Sequence, residues 1–119
     1  MAAPNLRNPT TINGKTVGYD VTVTLAAALT NSAASNKALK INSIFCANID
    51  GVNPADISVS VFNGTTDFYL ARTITVPADA TQIISTKETY FYLEEGWSIR
   101  AQASAASDLQ LVIGYEDIS

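Results

Sequence analysis

The chain has 119 residues, 47% of them apolar and only 15% charged, with a net charge of −4, one cysteine and no histidine. One domain of this size buries about two thirds of the surface its unfolded chain exposes, and with so few charges its exterior must be built from Thr, Ser, Asn and Ala. Lack of histidine excludes Ser-His-Asp triads, Cys-His pairs and histidine metal sites, and seven scattered Lys and Arg residues exclude a binder of phosphate backbones, which needs them clustered.

No apolar run approaches the roughly 18 residues that span a bilayer, and residues 1–7 lack a hydrophobic signal core, so a soluble product that stays in the compartment of its synthesis is expected. A charge-poor surface on a β-rich protein fits either contact with other subunits or a neutral polar exterior on a monomer.

In chain order, residues 1–10 hold two prolines and no periodic pattern and read as an extended arm, leaving 11–119 as the folded domain. A short strand near 10–13 is expected to meet a type I′ turn at Asn13-Gly14. Tyr19, Val21, Val23 and Leu25 alternate with Asp20, Thr22 and Thr24 as one half-buried strand, and 26–29, too short for a stable helix, reads as its end and a loop. Residues 38–49 read as a central strand, with Leu39, Ile41, Phe45 and Ile49 on one face and Ile44 and Cys46 on the other. Cys46, with no partner for a disulfide, reads as a small core residue made in a reducing compartment.

Asp50-Gly51 and Asn53-Pro54 reverse the chain into a strand carrying Ile57, Val59 and Val61, and Asn63-Gly64 marks a tight hairpin. The strand that follows places Phe68, Leu70, Ile74 and Val76 on one parity, interrupted by Arg72 at a sheet edge or bulge, and ends at Pro77-Ala78-Asp79. Residues 82–85 and 89–93 are strands split by the polar Thr86-Lys87-Glu88. Gly96 supplies the positive φ of a turn after Glu94-Glu95. Trp97, Ile99, Ala101 and Ala103 then alternate with polar residues, Leu109, Leu111, Ile113 and Tyr115 do the same, and 104–108 between them predicts a hairpin.

Seven to nine short strands at spacings of about 8–12 residues, with no credible helix, predict an all-β fold: a single antiparallel two-sheet β-sandwich, jelly-roll or immunoglobulin-like.

Chemistry is sparse. Cys46 has no base, and no P-loop, GxGxxG or CxxC occurs. Glu94 and Glu95 are the obvious carboxylate pair, but neighbours on a strand point to opposite faces, and beside Gly96 they read as a solvated turn. Asp50, Asp56 and Asp67 offer oxygen ligands for calcium from loops, without EF-hand spacing; turn capping is the simpler reading. Asn63-Gly64-Thr65 matches the glycosylation acceptor pattern, and the hairpin reading takes precedence. No catalytic, cofactor or metal residue is expected. Tyr90 and Tyr92 share one parity and Phe91 and Leu93 the other, so one pair should be exposed or meet a partner; Glu94 and Glu95 beside them argue against single-stranded nucleic acid. Trp97 reads first as core.

The opening Met1-Ala2-Ala3-Pro4-Asn5, Ile49-Asp50-Gly51 with Pro54-Ala55-Asp56-Ile57, Val76-Pro77-Ala78-Asp79-Ala80-Thr81, Tyr92-Leu93-Glu94-Glu95-Gly96 and the closing Tyr115-Glu116-Asp117-Ile118-Ser119 span nearly the whole chain. Together they resemble small virion structural proteins of marine and cyanobacterial tailed bacteriophages. The resemblance implies a non-enzymatic β-sandwich of the particle, foremost a capsid decoration (cement) protein made in the host cytoplasm and carried on the capsid surface. A neck, tail or fibre component, or a receptor- or glycan-binding module, is the second reading. The implied partners are the major capsid protein and copies of the chain itself, a trimer being the natural guess, with neither nucleic acid nor membrane. Where such sequences often have Gly-Asp, this one has Gly96-Trp97, an aromatic at an otherwise polar position. The candidate interface is the arm at Pro4, Asn5, Leu6 and Arg7 together with Tyr90, Tyr92 and Trp97.

Overall fold

The computed structural model describes residues 4–119, and the part of the expected arm at Met1, Ala2 and Ala3 lies outside them. Among the described residues nine strands form: β1 (Ile12–Asp20), β2 (Ala26–Thr30), β3 (Ala38–Asn48), β4 (Ala55–Phe62), β5 (Asp67–Val76), β6 (Thr81–Ser85), β7 (Phe91–Leu93), β8 (Ser98–Ala103) and β9 (Leu109–Ile118). The one helical element among the described residues is a single 3-10 turn, Lys87–Thr89, so none is long and apolar enough to cross a membrane. All ladders are antiparallel. One sheet runs β1-β9-β3-β6, with β7 continuing the β6 edge along β3; the other runs β2-β8-β4-β5. The fold is therefore the predicted two-sheet sandwich, and the strand order, in which the chain passes repeatedly from sheet to sheet, is that of a jelly roll. We call the two layers the β3 sheet and the β4 sheet.

Alternation builds the core. Ile57 and Val59 on β4, Ile99 and Ala101 on β8, and Leu109, Leu111 and Ile113 on β9 are inaccessible or nearly so, and Ile41, Ile44 and Cys46 meet them from β3. Trp97 is half-buried against this cluster. The β4–β5 hairpin forms where Asn63-Gly64 placed it: the Asn63 side chain accepts the amides of Thr65 and Thr66, and Gly64 takes φ +96°. Gly96, at φ +81°, supplies the turn before β8.

Several local expectations are corrected. The stretches 97–103 and 109–115 are not a hairpin, because β8 lies in the β4 sheet and β9 in the β3 sheet. Two strands that face one another across a core show the same alternation as two that pair side by side, so periodicity cannot separate the cases. Asn13-Gly14 makes no turn; β1 runs straight through it, with Gly14 opposite Glu116. The strand expected at 19–25 is two pieces. β1 ends at Asp20; the Val21 amide still donates to Leu109 of the β3 sheet, while the Thr22 carbonyl accepts from Ala103 of the β4 sheet. The chain changes sheets within that one residue step, and 26–29, expected as strand end and loop, belongs to β2.

Bulges account for the remaining differences. Between Ile41 and Ser43 the β3 register against β9 slips by one residue, which inverts the facing of everything that follows. Ile44 and Cys46 thus turn inward with Leu39 and Ile41, whereas Phe45 and Ile49 turn out to solvent. On β5 two register shifts against β4 expose Phe68 and Leu70 and leave Val76 buried, and Arg72 does sit at a bulge on an edge strand.

The β3 bulge is tightly seated. A Cβ on Gly114 would lie 2.9 Å from the Ser43 Oγ, inside any real contact. Gly114→Ala should therefore destabilise the fold by about 1–3 kcal/mol, the usual cost of overpacking. The double variant Ser43→Ala/Gly114→Ala should recover most of that loss in urea unfolding, and failure to do so would mean that Ser43 is not the obstacle.

Two buried asparagines tie loops to the ends of the sandwich. Asn31, 2% exposed, donates from Nδ2 to the carbonyls of Lys37 and Leu93 and accepts from the Ser35 hydroxyl. Asn48, also 2% exposed, donates to the carbonyls of Asn53 and Val76 and accepts the Asp50 amide.

Candidate interaction surface

The outer face of the β3 sheet carries a row of apolar side chains in register. Phe45 on β3 stands opposite Ile83 on β6 and Val112 on β9, and Val112 stands opposite Gly18 on β1. These three side chains are 53% (Ile83), 37% (Phe45) and 41% (Val112) exposed, and the space beside the Gly18 Cα is open. Ala47 lies in the next row between Thr81 and Gln110, and Ile49 is exposed where β3 ends. Charges stand only at the two ends of the face. At one, Lys40 lies 3.9 Å from Glu116; at the other, Asp20 accepts a hydrogen bond from Gln110. An uncharged apolar centre with a polar rim is the anatomy of a protein-binding patch.

The expected interface residues divide into three places. Tyr90 and Tyr92 come together edge to face at 5.9 Å, with the Lys40 ammonium 4.4 Å above the Tyr90 ring, and both are exposed, as the parity argument required. Tyr92 opposes Lys40, which opposes Glu116 and then Gly14, so the tyrosine pair borders the same β3-sheet face. Pro4 is half-buried, Asn5, Leu6 and Arg7 are exposed in a turn closed by the Asn8 amide on the Asn5 carbonyl, and the following Thr10 and Thr11 amides bond the Ser119 carbonyl at the Ile12 end of β1. Trp97 stands apart, its carbonyl accepting the Asn31 amide at the foot of β8. Phe45, Ile83 and Val112 went unremarked as site residues. Val112 carried a signal, being an aliphatic residue at the wet position between Leu111 and Ile113; Phe45 carried none, because only the bulge turns it outward.

Electrostatics elsewhere in the molecule is structural. The Asp117 carboxylate, 8% exposed, accepts from both Lys15, at 3.0 Å, and Lys37, at 3.1 Å, beneath the β1 end of the sandwich. Burial by itself raises its pKa, but hydrogen bonds and charge from the two ammoniums outweigh burial and hold it below the ordinary 3.8. A depressed acid adds stability that is present above the unfolded-state pKa and is lost as pH falls through the folded one. Urea midpoints should therefore drop as pH falls below 3.8, and Asp117→Asn should lower the midpoint at neutral pH while flattening that acid limb. An unchanged acid limb in the variant would assign it to other carboxylates. Burial pushes the Cys46 thiol up to about 11, so it remains an unreactive thiol. Asp50 caps the amides of Val52 and Asn53, Asp56 accepts from Thr75, and Asp67 accepts from Ser60 beside Arg100.

No protein-family model matches the sequence, and no curated protein matches it. In fold, the chain is similar to one from the disulfide-linked pili of Bacillus endospore appendages, at a TM-score of 0.54 and 13% identity over 92% of this chain and 87% of that one. It is also similar to a chain of the acidic stable capsid structure of Helicobacter pylori bacteriophage KHP30, at a TM-score of 0.50 and 13% identity over 94% and 90%. The likeness is one of fold. Both alignments take in nearly the entire jelly roll.

Proposed function

We propose that this chain is a non-enzymatic structural protein of a bacteriophage particle, a decoration protein that lies on the capsid with the outer face of its β3 sheet against the major capsid protein and sister copies. The observation that carries this reading is the apolar row Ile83, Phe45 and Val112, unbroken by charge across three adjacent strands. Covering it removes apolar surface from water at about 25 cal/mol per Å². The tyrosine pair at its border adds rigid amphipathic area of the kind that interfaces favour. The described part of the arm, residues 4–10, lies at the Ile12 end of β1 in the same sheet, a position from which it would extend the contact along the shell. The fold's likeness to a phage capsid chain supports an assembly role, and the sequence resemblance points to the same kind of particle.

The likeness to a pilus chain favours a second reading, a subunit stacked in a neck, tail or fibre. Imaging of intact particles separates the two. Copies distributed over the whole shell support decoration, a single ring or axial stack supports the second reading, and absence from purified particles would overturn both.

A further inference from the structure

The opposite face of the molecule has different chemistry. On the β4 sheet polar side chains lie outward around two aromatic rings, Phe62 and Tyr69, and a groove of about 210 Å³ opens there, lined among others by Asp56, Ser58, Tyr69, Arg72, Gln102 and Ser104. The two β5 bulges shape it. They carry Thr73 into the left-handed region at φ +53°, where its amide donates to the Ser58 hydroxyl, and they stand Arg72 over the Tyr69 ring, 4.9 Å from guanidinium to centroid. Left-handed backbone at a β-branched residue is strained, and such strain collects at binding sites.

Arg72 is the informative group. The other arginine of this face, Arg100, lies by Asp67 at 3.6 Å and over Phe62. Arg72 has no ion-pair partner among the described residues; its guanidinium rests against the Tyr69 ring and lines the open groove. Asp56, whose Oδ1 accepts from Thr75, stands in the same groove as a second, acceptor pole. Serine hydroxyls and the Gln102 amide lie between.

We infer that this groove is a binding site for an acidic sugar, a single pyranose ring bearing a carboxylate. The guanidinium matches the carboxylate in a bidentate pair. The Asp56 carboxylate and the Gln102 Oε1 accept from ring hydroxyls, the Gln102 Nε2 being taken up by the Val23 carbonyl, and the Ser58 and Ser104 hydroxyls donate to them. Because the groove sets an acceptor, Asp56, beside the cation, it favours a ligand whose single charge is accompanied by donor hydroxyls over a bare anion such as phosphate. The volume lies below the about 300–1,000 Å³ of sites for drug-sized ligands, which suits one ring. Because the groove lies on the other sheet from the apolar row, covering the β3 sheet alone leaves it open, and the inference does not rest on the particle assignment.

The test is an amide-resolved NMR titration of the full chain with glucuronate, with glucose and acetate as the neutral ring and the bare carboxylate. Glucuronate should shift the amides of Ser58, Arg72, Thr73 and Gln102 saturably. Glucose and acetate should each bind about tenfold or more weaker, and Arg72→Gln should weaken glucuronate by a similar factor, the usual effect of losing a charge-assisted pair. Tyr69→Leu, which removes the support of Arg72 but not its charge, should weaken it less than Arg72→Gln. No saturable shift at tens of millimolar, equal shifts with acetate, or unchanged binding in Arg72→Gln would each overturn the site.

Discussion

Phe45→Glu should strip this protein from its particle, or from its own oligomer, while leaving the isolated domain folded. Phe45 is 37% exposed in the free chain and stands outside the core cluster, so its replacement removes cross-strand contacts with Ile83 and Val112 worth about 0.2–1 kcal/mol each. Thermal unfolding should move by only a few degrees. Once the β3-sheet face is covered, however, the same carboxylate is held in an apolar layer, with Lys40 and its partner Glu116 at the far end of the face. A buried unpaired charge costs several kcal/mol, and hot-spot losses of about 2 kcal/mol or more correspond to binding weakened about thirtyfold or beyond. Co-sedimentation with particles, read beside Val52→Glu, an equally apolar residue that is 81% exposed in the loop after β3, gives the comparison. Full occupancy of the Phe45 variant would remove this face from the interface.

Asn48→Ala should be the most damaging single polar substitution in the chain, at about 2–4 kcal/mol. The side chain satisfies three backbone groups at once, two carbonyls and one amide, where β3 ends and β4 begins. Each buried group left without a partner costs about 1–3 kcal/mol, and Val76, whose carbonyl is one of them, is fully buried. Part of the deficit is recovered by water at the Asn53 end, where the chain is exposed. Against a total stability of about 5–15 kcal/mol this is a large fraction. Asn48→Asp should not rescue, since a carboxylate has no N–H for the two carbonyls. Asn31→Ala should follow the same pattern at the other end of the sandwich, whereas Asp50→Ala, which releases only exposed amides, should cost less than Asn48→Ala. Urea unfolding measures all of these, and a loss below about 1 kcal/mol for Asn48→Ala would mean that the loop reorganises around the gap.

The residues that spelled out the sandwich were those whose side chains alternate without interruption: 57–61, 99–103 and 109–113 were legible because facing is a local property of the backbone. Pairing is not local. Nothing in Leu109, Leu111 and Ile113 says whether the strand lies beside β8 or across the core from it, and the hairpin expected there was a crossover. Facing itself became illegible where one extra residue entered a ladder, so that Phe45 passed for core and the apolar row went unseen. Asn31 and Asn48 read as loop formers, which they are, but the carbonyls they bind lie up to 62 residues away and leave no trace in the local pattern. Parity over 90–93 told that one of its two pairs faces outward but not which, and the structure turns out Tyr90 and Tyr92; the Arg72 groove was signalled only by the break in parity at Arg72.

The placement of β9 between β1 and β3 has a consequence for biosynthesis. During translation the first eight strands emerge without the one that joins β1 to β3, so the larger layer stays open until β9 has been made, as expected for a topology dominated by distant pairings. Phe45, Ile83 and Val112 come from early, middle and late parts of the polypeptide. A nascent copy that still lacks β9 therefore lacks Val112 and presents only part of the apolar row.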